Sequence, residues 1–219
     1  MTQEQWLQFL GILPSLIFAA LAVVVVVALF RPFRDDVLPR LTGVNVMGLR
    51  LDLKPDDVQR ALEEVPKPGV TYPADTGAVL LSRAERAAPV LRDAAILWVD
   101  DVPLGNLVER RLFARLGVYS EPVRSTAEAL EAIAMAVRSG GGFDLVISDL
   151  SRPGDPVAGV ATIDALRVGG FTKPVILYIG RVDPTRPVPV GAFGLTSRPD
   201  ELVHLVLDAL ERRAAPVEA

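Results

Sequence analysis

Asp100 and Asp101 close the apolar run Ile96-Leu-Trp-Val99, and Asp149 closes a second one, Phe143-Asp-Leu-Val-Ile-Ser148. Carboxylates gathered at the ends of neighbouring strands repel one another and are relieved by a divalent cation. Mg2+ suits such a set, because it takes few protein oxygens and keeps positions for water and a further ligand. A carboxylate held beside that ion can also act as a nucleophile. Aspartate stops strands and caps turns for purely structural reasons too, but three at the ends of apolar runs favour an acidic pocket. Much other chemistry is excluded. The chain has no cysteine, so disulfides, thiolate metal sites and cysteine nucleophiles are ruled out. His204 is the one histidine and lies in a helical pattern, which leaves no nucleophile–histidine pair. Asp101-Val-Pro-Leu-Gly105 lacks the glycine pattern of a phosphate loop. A net charge of −4 provides no basic field for nucleic acid.

Asp101 and Asp149 lie 48 residues apart, room for two helices and one strand between them. From Ala94 onward, short apolar runs alternate with amphipathic stretches. Leu104, Leu107, Leu112 and Leu116 form a helical stripe over 104–116. Tyr119 to Val123 reads as a strand, and Ser125 or Thr126 caps the next helix, with Glu128 placed as in a capping box. A helix over 159–168, a strand from Pro174 to Ile179, a short strand from Val190 to Leu195 and a helix from Pro199 to Arg213 complete the pattern. Strands alternating with helices specify an α/β fold with a parallel sheet covered on both faces. Five strands at this spacing predict a flavodoxin-like order, with any site at the carboxyl ends of the strands.

The segments ILWVDD, FDLVISDL and KPVILYIG and the pair Arg198-Pro199 resemble the receiver domain (CheY-like) of bacterial response regulators, over residues 94–213. The resemblance implies that Asp149 is the phosphoacceptor and that Asp100, Asp101 and Asp149 are the Mg2+ ligands. The likeness is degenerate. Where receivers carry the switch Ser or Thr, this chain has Ile179; where they carry Lys before proline, it has Arg198, a fork rather than a point charge. The family's cis peptide is expected at Arg198–Pro199. Gly180 to Pro189 contains three prolines, so the fourth helix is expected to be lost. In the loop after Asp149, Arg152 and Asp155 either contact a ligand or pair with each other and order the loop. Gly140 to Gly142 reads as a flexible link.

Ahead of this domain, Phe9 to Phe30 is an uncharged run of 22 residues that includes the valines Val23 to Val27. As a helix it would extend about 33 Å, the thickness of a bilayer's hydrocarbon core. Trp6 precedes it at interfacial depth, and no Lys or Arg lies among the first 30 residues, which argues against a signal peptide. Arg31, Arg34, Arg40 and Arg50 follow the run, which places residues 1–8 outside and the remainder in the cytoplasm. Residues 31–93 read as a juxtamembrane region and linker with some structure. It holds a strand pair or bulged strand over 44–53, a short helix begun by Pro55-Asp56-Asp57, and a helix over 78–88 ended by Pro89.

These features together predict a single transmembrane helix (9–30), a small juxtamembrane segment, a receiver-like α/β domain (94–213) and a tail (214–219). The expected role is a non-enzymatic signalling or docking module in an inner-membrane complex. Its expected partners are the membrane and other proteins, a second copy joined through the transmembrane helix among them. Two other readings stay open: a genuine Asp phosphoacceptor of a phosphorelay with an altered switch, and a nucleotide or small-ligand sensor on the same fold.

Overall fold

The computed structural model describes residues 53–65, 70–183 and 187–214, which belong to one compact unit. The expected transmembrane run 9–30 and the expected strand pair over 44–53 (but for Leu53) lie outside the described residues. Among the described residues no helix is long and apolar enough to cross a membrane.

Five strands form the centre: β1 (Ala95–Val99), β2 (Tyr119–Val123), β3 (Leu145–Ser148), β4 (Val175–Tyr178) and β5 (Gly194–Thr196). All neighbours are parallel and the order is β2-β1-β3-β4-β5, the flavodoxin-like arrangement expected. Strand side chains alternate between faces, and this divides the core in two. Ile96, Trp98, Leu145, Ile147, Ile176 and Tyr178 face one cluster, while Leu97, Val99, Val146, Val175 and Leu177 face the other. On the first face lie α4 (Leu107–Arg115) and α7 (Pro199–Ala214); on the second, α5 (Thr126–Arg138) and α6 (Ala158–Val168).

The helices follow from local chemistry. Ser125 rather than Thr126 caps α5, its Oγ accepting from Glu128 N at 3.1 Å. Glu128 reaches back to Arg124 N at 2.7 Å. Helix α4 begins at Leu107 and not at residue 104, because Asp100 Oδ1 accepts from Val102 N at 2.7 Å and Gly105 N bonds Val102 O at 2.8 Å. That turn leaves Leu104 78% exposed and outside the expected stripe. The last strand is also later than expected, since Gly191 at φ +83° turns the chain at 190–191 and pairing starts at Gly194. Between β4 and β5 the described residues form no helix, as the prolines there require. Among the described residues no cis peptide bond occurs, so the expectation at Arg198–Pro199 is corrected to the ordinary trans isomer.

The largest departure concerns residues 53–91. Helices α1 (Pro55–Glu63), α2 (Thr76–Arg86) and α3 (Ala88–Leu91) are built into the first core cluster and do not form a spacer. Val58, Leu62, Leu80, Ala84 and Leu91 are buried there with Leu112, Leu202, Val206 and Leu210 of α4 and α7. Pro89 sits in the first turn of α3, where a missing N–H costs nothing, so it starts a helix instead of ending one. α1 and α2 approach so closely that a Cβ on Gly77 would stand 2.4 Å from Pro55 O. Gly77 N in turn donates to Gln59 Oε1 at 2.9 Å.

Candidate functional site

β1 and β3 are adjacent and in register, with Val99 opposite Ser148, so Asp100 and Asp149 emerge side by side at their carboxyl ends. Both backbones are held by the sheet: Asp100 N bonds Val123 O at 2.9 Å, and Asp149 N bonds Val99 O at 3.0 Å. Helix α6 presses on the second aspartate from below. Gly159 N donates to Leu150 O at 2.8 Å, and a Cβ on Gly159 would lie 2.7 Å from Asp149 O.

The two carboxylates are engaged differently. Asp100 Oδ1 takes the Val102 amide, and its Oδ2 takes Asn106 Nδ2 at 2.9 Å. Asp149 Oδ1 accepts from Leu150 N at 2.7 Å. Burial pushes the Asp149 carboxyl above its ordinary range and Asp100 adds to the rise. The Leu150 and Ser151 amides and the Arg152 guanidinium work in the other direction. Two such neighbours are a donor set that a divalent cation would relieve, and one or two carboxylates plus water suffice for Mg2+. Among the described residues, however, no three His, Asp or Glu side chains are grouped closely enough to hold a metal ion. The expected set Asp100, Asp101 and Asp149 is therefore not assembled as three ligands. The like charge that raises the Asp149 carboxyl is that of Asp100.

Ile179 lies just past β4, 9% exposed, its N bonded to Thr196 O at 3.0 Å. Arg198 does not act on Asp149. Its Nη2 donates to Asp200 Oδ2 at 2.8 Å, its Nε lies 3.5 Å from Glu201 Oε1, and its guanidinium sits 5.7 Å over the Tyr72 ring. The cation that lowers the Asp149 carboxyl is Arg152. Arg152 and Asp155 pair, but through their backbones, in two 2.9 Å hydrogen bonds around a turn with Gly154 at φ +82°. The Asp155 side chain accepts from Val157 N at 2.9 Å. The Arg152 side chain is thereby directed inward, donating to Ser148 Oγ at 2.9 Å, Thr126 Oγ1 at 3.1 Å and Thr162 Oγ1 at 3.2 Å.

Several residues of this end of the sheet were not singled out by sequence reasoning. Glu109, 3% exposed, accepts the Tyr178 hydroxyl at 2.7 Å, and Tyr72 reaches the same neighbourhood from the segment between α1 and α2. Burial pushes the Tyr72 phenol up to about 12, with Asp200 contributing. The readable signal was Ser148 and Thr162, two hydroxyls at positions the apolar pattern assigns to the core.

No family model matches this chain, and no curated protein matches it. Solved structures do. Response regulator TrrA from Thermotoga maritima, in complex with Mg2+ and BeF, is similar at 22% identity over 53% of this chain and 98% of that one, with TM-score 0.43. A response regulator receiver domain protein from Clostridium thermocellum is similar at 20% identity over 55% and 97%, with TM-score 0.45. A chemotaxis response regulator of Vibrio cholerae is similar at 23% identity over 55% and 98%, with TM-score 0.40. The fold assignment rests on the strand order and register described above.

Proposed function

We propose that the chain is a membrane-anchored, receiver-like signalling or docking module whose acidic site no longer serves as a phosphorelay switch. The observation that carries this reading is the split between the two halves of the site. Asp100 and Asp149 stand together at adjacent strand ends, yet the groups that would answer a phosphoryl group are lost or diverted. Ile179 offers no hydroxyl, and Arg198 is bound to Asp200 and Glu201. Val102 and Leu104, exposed on the loop that carries the acidic pair, add apolar surface suited to a protein partner. The uncharged run 9–30 supplies the anchor, with the domain on the cytoplasmic side of the inner membrane and the run itself available for self-association. Anchoring raises the module's effective concentration toward membrane partners. No catalytic turnover is assigned to it.

The test is phosphate-affinity gel mobility of the full chain in detergent, with Mg2+ and acetyl phosphate, beside Asp149→Asn. No shift in a folded sample supports the docking reading. A Mg2+-dependent shift lost in Asp149→Asn overturns it in favour of the second reading, a phosphoacceptor with an altered switch. What favours that alternative is the pairing of Asp100 with Asp149, the two carboxylates that would hold Mg2+. The ion would neutralise charge there, while Asp149 supplies the attacking carboxylate.

A further inference from the structure

We propose that the chain holds a second site, for a small primary amine, where the first turn of α4 meets the end of β4, Tyr72 and the start of α7. The inference goes beyond the docking reading and does not rest on it. Among the described residues Glu109 is the only buried acid. Its Oε1 accepts from the neutral Tyr178 hydroxyl at 2.7 Å, while its Oε2 is buried without a hydrogen-bond partner. Arg110, next along the helix, bonds Pro103 O at 3.4 Å and not Glu109. A carboxylate buried without a bonded cation is strongly unfavourable, and a cation in contact relieves it.

Asn106 stands one turn before Glu109 on the same face of the helix, and each is 3% exposed. Its Nδ2 donates to Asp100 Oδ2 at 2.9 Å, which fixes the amide and leaves Oδ1 buried without a partner. The sheet brings the third wall. Tyr178 lies opposite Thr196 in register, and Thr196 Oγ1 accepts from Arg198 N at 3.0 Å. Arg198 in turn holds Asp200 at 2.8 Å and the Tyr72 ring at 5.7 Å, so Tyr72 meets the Tyr178–Glu109 pair. The Tyr72 phenol is raised by burial first and then by Asp200 and Glu109, as a hydroxyl near both carboxylates would be. That hydroxyl and Asp200 Oδ1 are also buried without partners. The Glu109 carboxylate, the Asn106 amide and the Tyr72 phenol thus offer three orphan oxygens, and one primary ammonium group has three N–H donors. A divalent metal is poorly served, because no three acidic or histidine side chains are grouped among the described residues. Arg110 Nε is a buried donor without a partner and suits an oxygen on the same ligand, as an amino alcohol carries. Tyr72 lies between the exposed residues Thr71 and Pro73, so a small shift of that loop admits a small molecule.

The experiment is calorimetric titration of ethanolamine hydrochloride into the full chain in detergent at constant ionic strength. Tetramethylammonium chloride and KCl are the comparison salts, and thermal melts without ligand show that each variant is folded. Ethanolamine is expected to bind saturably and to raise the melting temperature, whereas the two salts, whose cations have no N–H donors, should do neither. Tyr72→Phe, which keeps the ring and removes one acceptor, should bind ethanolamine about three- to tenfold more weakly. Glu109→Gln, which removes the charge, should bind it about tenfold more weakly or worse. Asp149→Asn should bind it as the wild type does. Absence of ethanolamine binding, equal binding of tetramethylammonium, or unchanged binding in folded Tyr72→Phe or Glu109→Gln overturns the proposal. Loss of binding in Asp149→Asn places the amine at the acidic pair and overturns it as well. The gel-mobility experiment reads phosphorylation of Asp149 alone, so failure of the docking reading leaves these titrations interpretable by themselves.

Discussion

Asp149 carries a carboxyl whose proton is favoured by burial first and by Asp100 second. A folded-state pKa raised above the unfolded value means that the native state holds this proton more strongly, so stability falls as pH rises through the carboxylate range. Asp149→Asn removes the charge and is expected to raise the melting temperature at neutral pH in EDTA, with the gain shrinking as pH falls toward the ordinary aspartate range and gone below it. A pH series of melts for both proteins measures this. Tyr72 provides a second test of the same end of the sheet. Its hydroxyl is buried without a hydrogen-bond partner, while its ring lies against Arg198. Tyr72→Phe keeps the ring and removes the orphaned group, so stability should stay level or rise by up to about 1 kcal/mol in denaturant unfolding.

At the scale of elements, the decisive feature is the added layer α1–α3 over α4 and α7. Leu80 is 2% exposed and Leu62 fully buried, so Leu80→Ala or Leu62→Ala should cost about 2–5 kcal/mol of global stability. Unfolding curves with one cooperative transition would show that the layer melts with the sheet. A helix α2 fastened to α7 by charge adds a pH dependence. Arg83 bonds His204 Nδ1 at 2.7 Å and pairs with Asp208 and, at 3.3 Å, Glu211. Burial first and Arg83 second lower the His204 pKa, against Asp200, Asp208 and Glu201. A lowered histidine pKa means that this stability is fully present above the unfolded value near 6.5 and declines as pH falls below it. Hydrogen-exchange protection of residues 76–91, corrected for the intrinsic rate at each pH, should therefore fall between pH 7 and 5.5, and His204→Asn should remove much of that pH dependence.

For the whole molecule, the packed layer alters which piece of the chain can stand alone. A fragment beginning at residue 94 would expose the outer faces of α4 and α7, including Leu112, Leu202, Val206 and Leu210, all buried in the intact domain. Such a fragment should bind a hydrophobic dye and self-associate, whereas one beginning at residue 48 should not; size exclusion and dye fluorescence distinguish them. The site is equally a product of the whole. β1 and β3, separated in sequence by β2 and two helices, bring Asp100 and Asp149 together only when the sheet closes in its β2-β1-β3 order.

The α/β class, the strand order, a cap at Ser125 or its neighbour Thr126, the lack of a helix among the described residues of 180–189 and the aspartates at strand ends were all legible in the chain itself. Each depends on short-range rules: alternation at period 2 or 3.6, proline's missing N–H, and aspartate at the end of an apolar run. The tertiary structure alone decided which charges meet. Arg198 could be matched to a position by its neighbour Pro199, but Asp200, Glu201 and Tyr72 draw it away from Asp149. For Arg152 the sequence left open a ligand contact or a pairing with Asp155, and only the fold showed that the two pair through their backbones while the guanidinium turns to the hydroxyls of Thr126, Ser148 and Thr162. Residues 53–91 looked like a linker because their apolar faces are short, and a short amphipathic helix is stable only against the surface that buries it. Long-range contacts of that kind leave no periodicity in a single sequence, which is why packing, and not pattern, settled them.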